Sequence, residues 1–291
     1  MTTFGDLVEQ TKSLLHSYTG VHEQVTWLTA DCDSAVTALA VDNSTAVSRG
    51  ISEIGQELIY VSVSGSGVLT LAPFGRGYKG STAGAHLIND LVMFDPAFPT
   101  VEIKRALNQC LSAVYPQLYQ IKTTTFTFGG AVAAYELPSD VERVLKVTWE
   151  PSGPSLYQAT LSRWEYDPNG NFTSGKSIYL HEAPEQGALV KVAYQAPFTQ
   201  FAVDADTLAT VGLPESALDL LLYGATSKLI RFLEPARLQA HSVENMSRAQ
   251  LMAPGDPGKV ANQLYAMYQT RLAEELKKLL ENNPPQLFFT R

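Results

Sequence analysis

The chain has 291 residues, of which 45% are hydrophobic and 17% charged, so it is long enough to bury two or three apolar cores. No stretch approaches the roughly 18 uncharged apolar residues that a membrane-spanning helix needs. The net charge of -8 argues against a protein that holds nucleic acid through a basic patch, although DNA can slide past an acidic wall without adhering to it.

The first hundred residues predict a short helix followed by a small β module. Apolar residues recur at helical spacing over residues 3 to 18. From about residue 25 the period changes to two, and Ser64-Gly65-Ser66-Gly67 is typical of a hairpin turn. The predicted strands are 25–27, 38–41, 52–54, 57–63, 68–71 and 91–94.

The middle of the chain predicts a helix and a second β module. Thr100 is a suitable N-cap for a helix that runs to about Tyr119. Short strands with frequent turns follow, and Asp167-Pro168-Asn169-Gly170 is the clearest turn signal among them. This pattern favours a sandwich or a barrel, with strands at 123–128, 131–137, 141–149, 157–166, 177–181 and 189–194.

After Gly212 the sequence predicts helices. The first covers residues 214 to 233 and is ended by Glu234-Pro235, and a more polar helix covers 236 to 252. Asp256 and Pro257 begin a long helix to about Asn282, whose narrow apolar seam suffices for one neighbour.

We therefore predict an α+β fold in which a helical bundle core is interrupted by two antiparallel β modules, with a long C-terminal helix and an extended C-terminal arm. The first module is a small β domain, and the second is sandwich-like or barrel-like. The predicted domains are a helical core from 1–22, 98–122 and 203–283, a β module from 23–97, a β insert from 123–202 and an arm from 284–291.

The last eight residues are the strongest sign of a partner. Pro284 and Pro285 cannot continue the helix, so an apolar end follows it, made of Leu287, Phe288 and Phe289 before Thr290 and Arg291. Such an end either folds back on the chain's own core or docks in a groove or on a sheet edge of another protein. We predict that Pro284, Pro285, Leu287, Phe288, Phe289 and Arg291 bind a partner.

The run Gly75-Arg76-Gly77-Tyr78-Lys79-Gly80 matches the glycine spacing of dinucleotide-binding loops. The segment from Gly75 to Asp95 is too short for a complete βαβ unit, so a glycine-rich loop between strands is the preferred interpretation. In that case Arg76, Tyr78 and Lys79 form a loop that contacts a neighbouring chain.

No residue pattern indicates catalysis, a metal site or a cofactor, so we predict that the protein is not an enzyme. The five histidines are scattered, and no nucleophile elbow is present. Cys32 and Cys110 lack metal-ligand spacing and are expected to be buried free thiols. The first residues do not predict a signal peptide.

One alternative function is sugar binding by an aromatic face on the second β module, formed by Tyr157, Trp164, Tyr166 and Tyr194.

Two stretches of the first β module resemble a small β module that recurs in neck and tail proteins of tailed bacteriophages. They are Gly50-Ile51-Ser52-Glu53-Ile54-Gly55-Gln56-Glu57-Leu58-Ile59-Tyr60-Val61 and Arg76-Gly77-Tyr78-Lys79-Gly80-Ser81-Thr82-Ala83-Gly84-Ala85-His86. The remainder, with a helix from Ile103 to Tyr115, a β insert and a C-terminal helical set, resembles the head-to-tail connectors, or adaptors, of long-tailed phages.

The resemblance implies a virion structural protein of the neck, made in the host cytoplasm. Adaptors of this kind form a ring of twelve copies beneath the portal protein, and DNA passes through without sequence-specific binding. Their C-terminal end reaches into the portal, which Pro284 to Arg291 match in position and character. Stopper or tail proteins are the other expected partners, and no membrane is involved. The alternatives are another tail, neck or capsid-associated protein, or a carbohydrate-binding host-recognition module.

Overall fold

A computed structural model describes residues 1–19, 24–130, 134–151, 158–238 and 256–283. The chain divides into two compact units. We call the one made of Thr2–Cys110 and Leu221–Tyr268 the half-barrel unit. The other, made of Met1, Leu111–Leu220 and Gln269–Arg291, is called the two-sheet unit.

The half-barrel unit is built on an antiparallel sheet of six strands in the order β1-β6-β3-β4-β5-β2. The first and last strands of this order meet where Leu28 bridges Val41, so the sheet curls strongly. Alternate side chains point inward and form one apolar core, which includes Leu39, Ile54, Ile59, Val61, Leu69 and Val92. The strands are β1 Gln24–Trp27, β2 Ala38–Ala40, β3 Gly50–Ile54, β4 Glu57–Gly65, β5 Val68–Leu71 and β6 Leu91–Phe94.

Two helices of this unit are attached to its sheet through a buried carboxylate. The helices are α1, Phe4–Thr19, and α2, Thr100–Val114, of which the last turn belongs to the other unit. Glu53 of β3 is fully buried, and its Oε1 accepts a hydrogen bond of 2.8 Å from the backbone nitrogen of Thr100. Its Oε2 lies 3.6 Å from Nζ of Lys12 in α1. The negative charge at the N-terminus of α2 is favourable to the helix dipole.

The two-sheet unit contains two antiparallel sheets that share one core. The larger sheet has the order β10-β9-β13-β7, and the smaller has the order β11-β12-β8. The shared core draws on both sheets, including Val144, Val147, Val190 and Val192 from the larger and Ile178 and Leu180 from the smaller. The strands are β7 Gln120–Thr127, β8 Ala134–Glu136, β9 Arg143–Glu150, β10 Ala159–Thr160, β11 Trp164–Asp167, β12 Ser177–Leu180 and β13 Leu189–Ala196.

The described residues contain three further α-helices. The short α3, Leu208–Val211, begins with a capping box in which Thr207 and Thr210 bond each other's side chain and backbone. The other two are α4, Leu218–Leu238, and α5, Asp256–Asn282.

The predicted helical bundle core is wrong. The described residues form a mixed structure of five helices and thirteen antiparallel strands, and each unit combines a sheet with parts of helices. The reason is that each β module buries its alternating side chains in a core of its own, while α1 and α2 are bound to a strand through Glu53. The predicted domain boundaries remain a prediction.

Several helix and turn boundaries also differ from the prediction. Helix α2 ends at Val114, before Tyr115-Pro116, because the residue that precedes a proline disfavours helical geometry. Helix α4 continues past Pro235 to Leu238, so that proline does not end it. The turn at Asp167 opens a longer loop between β11 and β12. Most of the polar helix predicted over 236–252 lies outside the described residues.

Helix packing in the half-barrel unit requires a glycine in α4. A Cβ atom placed on Gly224 lies 2.3 Å from Sγ of Cys110 and 3.0 Å from the ring of Tyr268. Both neighbours are buried, so neither moves without disturbing the core.

We expect Gly224→Ala to destabilise the protein by about 1–2 kcal/mol, because the overlap outweighs the gain of about 1 kcal/mol in helix propensity. Thermal unfolding should show a midpoint several degrees lower. Gly65→Ala is the matched control, since a Cβ atom there meets nothing within 4 Å. An unchanged midpoint for Gly224→Ala would contradict the close packing.

Candidate functional site

A buried polar cluster of the half-barrel unit surrounds the carboxylate of Glu57, the first residue of β4. Arg76 donates to it from Nε at 2.7 Å and from a terminal nitrogen at 2.9 Å. The backbone nitrogens of Gly77 and Gly84 donate at 2.9 and 3.1 Å, and Nε2 of His86 lies 2.8 Å away. Glu57 is 2% exposed, so these contacts replace its water shell.

Arg76 extends this cluster to a second loop. Its guanidinium donates to the backbone carbonyls of Asp33 at 2.6 Å, Val36 at 2.9 Å and Gly84 at 2.5 Å. One side chain therefore connects the loop before β2, the start of β4 and the loop before β6.

The charge of Glu57 is stable in this environment. Burial alone would raise the pKa of Glu57, but the hydrogen bonds from Arg76, Gly84, Gly77 and His86 lower it to about 2. The carboxylate thus stays ionised over the whole physiological pH range and compensates the buried guanidinium.

The glycine run from Gly75 to Gly80 is a tight loop between strands and does not open a helix. A Cβ atom on Gly75 lies 2.6 Å from the carbonyl oxygen of Tyr60, and Gly77 has a φ of 59°, so both positions require glycine. Only a 3-10 turn, Tyr78–Gly80, follows, and the flanking strands belong to an antiparallel sheet. A dinucleotide-binding fingerprint needs a strand, this loop and an α-helix, so that interpretation is wrong.

The loop presents an apolar side chain that the sequence interpretation missed. Phe74 is 91% exposed, beside the residue that packs against Tyr60. Of the three residues predicted to contact a neighbour, Arg76 faces the Glu57 cluster and Tyr78 lies against Tyr60. The side chain of Lys79 is 46% exposed, and its Nζ lies 3.6 Å from Oε1 of Glu102. The contact with a neighbour stays a prediction.

The two-sheet unit contains a cavity of about 380 Å³ at the end of α5. Its wall comes from the start of β7, from Phe198 just after β13, from the segment after α3 and from the last two turns of α5. The apolar lining includes Leu118, Ile121, Phe198 and Leu279, and the polar lining includes Gln120, Ser216, Glu275, Lys278, Asn282 and Asn283. We call it the α5 pocket.

The polar groups of the α5 pocket are partly satisfied within it. Glu275 is 4% exposed and accepts hydrogen bonds from Oγ of Ser216 at 3.1 Å and from Nζ of Lys278 at 2.5 Å. Among the described residues, the buried Oε1 atom of Gln120 has no hydrogen-bond partner. A buried acceptor without a donor costs roughly 1–3 kcal/mol of folding stability.

Over residues 82–285 the sequence matches the family described as SU10 adaptor protein. The chain belongs to the SU10 adaptor protein family. This is a family of structural phage proteins and not of enzymes. The matched residues include every residue of the α5 pocket, whereas Glu57 and Arg76 precede them. No curated protein matches the chain.

Membership of the adaptor family confirms the coarse prediction of a phage structural protein. An adaptor works through contacts with other head or tail proteins. The residues predicted to make such a contact, Pro284, Pro285, Leu287, Phe288, Phe289 and Arg291, lie outside the described residues. The last described residue before them, Asn283, lines the α5 pocket.

The aromatic residues considered for sugar binding are used within the second β module of this adaptor. Trp164 and Tyr166 pack against the core, and the hydroxyl of Tyr166 donates to the carbonyl of Val141 at 2.9 Å. Tyr194 is buried and donates to Oδ1 of Asp140 at 3.2 Å; burial, then Asp140, raises the pKa of Tyr194 to about 12. Tyr157 lies outside the described residues. The described rings therefore do not form an exposed platform.

Both cysteines are buried free thiols, as predicted. Burial raises the pKa of Cys110 to about 12, so this thiol is neutral and unreactive. Across the described ranges, no group of three His, Cys, Asp or Glu side chains is arranged to hold a metal ion. In the same ranges no helix has the length and apolar character to cross a membrane.

Glu57→Gln should destabilise the adaptor by about 3–5 kcal/mol, because it leaves the Arg76 guanidinium buried without a counter-charge. Urea unfolding measures the effect. Glu165→Gln, at an exposed carboxylate, is the control and should change stability by less than about 0.5 kcal/mol. Equal effects of the two substitutions would show that the Glu57 cluster does not stabilise the fold.

The pKa of Glu57 also predicts a pH dependence. It is about 2 in the folded protein against an ordinary value of 4.5, so its contribution is complete above pH 4.5 and is lost as the pH falls from 4.5 through 2. The loss amounts to about 3 kcal/mol. We expect the stability difference between wild type and Glu57→Gln to shrink over this interval, and a constant difference would contradict the assignment.

Proposed function

We propose that this adaptor forms a ring between the portal and the tail in the neck of the virion and provides a conduit for DNA. The observation that carries the proposal is the apolar element Leu287-Phe288-Phe289, which follows Pro284-Pro285-Gln286 shortly after the end of α5 in a member of a phage adaptor family. An acidic protein with such an end needs an apolar site for it, and an adaptor has partners that offer one.

The C-terminal segment is proposed to insert into the portal protein. It is eight residues long, and Pro284 and Pro285 favour an extended conformation that does not continue the helix. Two adjacent phenylalanines bury a large apolar area with few rotatable bonds, as the anchors of protein interfaces do. Arg291 supplies a charged group that fixes orientation at the rim of such a site.

The loop around Phe74 is proposed to contact the next copy in the ring. Phe74 and Lys79 project from a loop that Glu57 holds in place, so little conformational freedom is lost when it binds. A ring requires a heterologous contact, in which this surface meets a different surface of the neighbour. Twelve copies is the number that the adaptor resemblance implies.

A second exposed surface suits contact with the stopper, tail or another adaptor copy. Val25 and Trp27 of β1 lie opposite Met93 and Leu91 of β6, and Val25, Trp27 and Leu91 are exposed. Exposed apolar patches on one face of a sheet are typical of protein interfaces.

The charge of the chain supports a conduit that does not retain DNA. A net charge of -8 repels the phosphate backbone, so DNA gains no sequence-independent affinity for the wall. On the second half of α5, exposed Lys277 pairs with Glu281 at 3.8 Å, which lowers its availability for phosphate.

Deletion of residues 284–291 should abolish binding to the purified portal protein and leave the melting temperature within a few degrees of wild type. Co-sedimentation of adaptor and portal measures the binding. Leu280→Ser, a substitution of an exposed residue on α5, is the control and should bind normally. Unchanged binding of the deletion would refute the proposed portal contact.

Phe74→Ser should weaken ring assembly by at least tenfold without lowering the melting temperature, because loss of a buried interface anchor costs about 2 kcal/mol or more. Mass photometry on dilution measures the distribution of oligomers. Phe172→Ser removes an exposed phenylalanine of the two-sheet unit and should leave assembly intact. If both substitutions act alike, Phe74 has no special part in the ring.

A further inference from the structure

The α5 pocket has the position and chemistry of a site for the chain's own C-terminal segment. We propose that Leu287-Phe288-Phe289 occupies the α5 pocket of the same subunit before assembly and leaves it when the adaptor binds its partner. This goes beyond the proposed function, because it concerns the free subunit.

The first support is proximity. Asn282 and Asn283 line the α5 pocket, and the chain continues directly from them into Pro284. Each extended residue spans about 3.3–3.6 Å, so the three residues before Leu287 provide some 10–11 Å of chain. The segment therefore reaches the pocket without displacement of α5.

The second support is the match between lining and segment. Leu118, Ile121, Phe198 and Leu279 provide an apolar wall. A volume of about 380 Å³ lies at the low end of the range for binding pockets and suits one or two large side chains. Leu287, Phe288 and Phe289 are the first apolar side chains after α5.

Occupation by the same subunit is favoured over occupation by another copy. A segment tethered at the rim of its site has an effective concentration on the order of millimolar, far above that of the free protein. A contact of modest strength therefore suffices in the free subunit. A partner that offers a larger apolar site displaces it, and the apolar end stays covered until then.

Disulfide cross-linking in the full-length protein tests the proposal. Gln286→Cys is combined with Ser216→Cys in the lining of the pocket, and Leu287, Phe288 and Phe289 are kept. In the control, Gln286→Cys is combined with Leu280→Cys, which is 46% exposed, does not line the pocket and lies nearer along the chain. The native cysteines are buried.

We expect the Ser216 pair to form an intramolecular disulfide roughly tenfold faster than the Leu280 pair. If the segment does not dock, Gln286→Cys should react with Leu280→Cys at least as fast as with Ser216→Cys. That result overturns the proposal. Disulfide-linked dimers in place of the intramolecular product also overturn it, since they assign the segment to a second copy.

Two sets of additional substitutions, each introduced into the protein with the Gln286 and Ser216 cysteine pair, test whether the segment contacts the α5 pocket. Leu279→Arg places a charge in the pocket lining and should abolish the fast reaction, whereas Leu280→Arg on the same helix turn should not. Phe288→Ser with Phe289→Ser leaves the pocket intact and should also abolish it. Persistence of the fast reaction in both the Leu279→Arg and the double-serine background overturns the proposal. All measurements use the isolated subunit, so failure here is separate from failure of portal binding.

Discussion

The ionised carboxylate of Glu57 is the interaction on which the half-barrel unit depends. It neutralises a buried arginine and satisfies two backbone nitrogens, and through Arg76 it fixes three separate carbonyl groups. Glu53, four residues earlier, attaches α1 and α2 to the same sheet. Charges placed inside a small module in this way hold its loops in one defined geometry, including the loop for which we propose a contact with a neighbouring copy.

The two-sheet unit places its functional features at one end of a helix. The last turns of α5 contribute one wall of a pocket and then lead into the proline-rich, apolar end of the chain. In an adaptor this arrangement joins two needs. If residues 287–289 bind the portal as we propose, they require cover while the subunit is free and must become available when the portal is reached. A pocket of moderate size beside the point of attachment meets both, because tethering supplies affinity that a larger partner site exceeds.

Local signals in the sequence predicted most individual elements. Period-two patterns located strands such as β4 and β13, and Thr100 marked the start of α2. The architecture was predicted wrongly, because the apolar face of a helix such as α1 can pack on another helix or on a sheet. The sequence pattern of the helix is the same in both cases. The Glu57 cluster joins residues far apart in sequence, so only the run from Arg76 to His86 hinted at it. The α5 pocket had no sequence signal, since its walls come from four segments that are distant in sequence.

The central claim is that this protein acts by being held among other virion proteins through its C-terminal end. Electron microscopy of the neck of the parent particle tests it most directly. The account predicts several copies of this chain around the DNA axis, each with residues 287–289 buried against the portal protein. A chain located elsewhere in the particle, or one whose residues 287–289 remain against its own subunit after assembly, would contradict it.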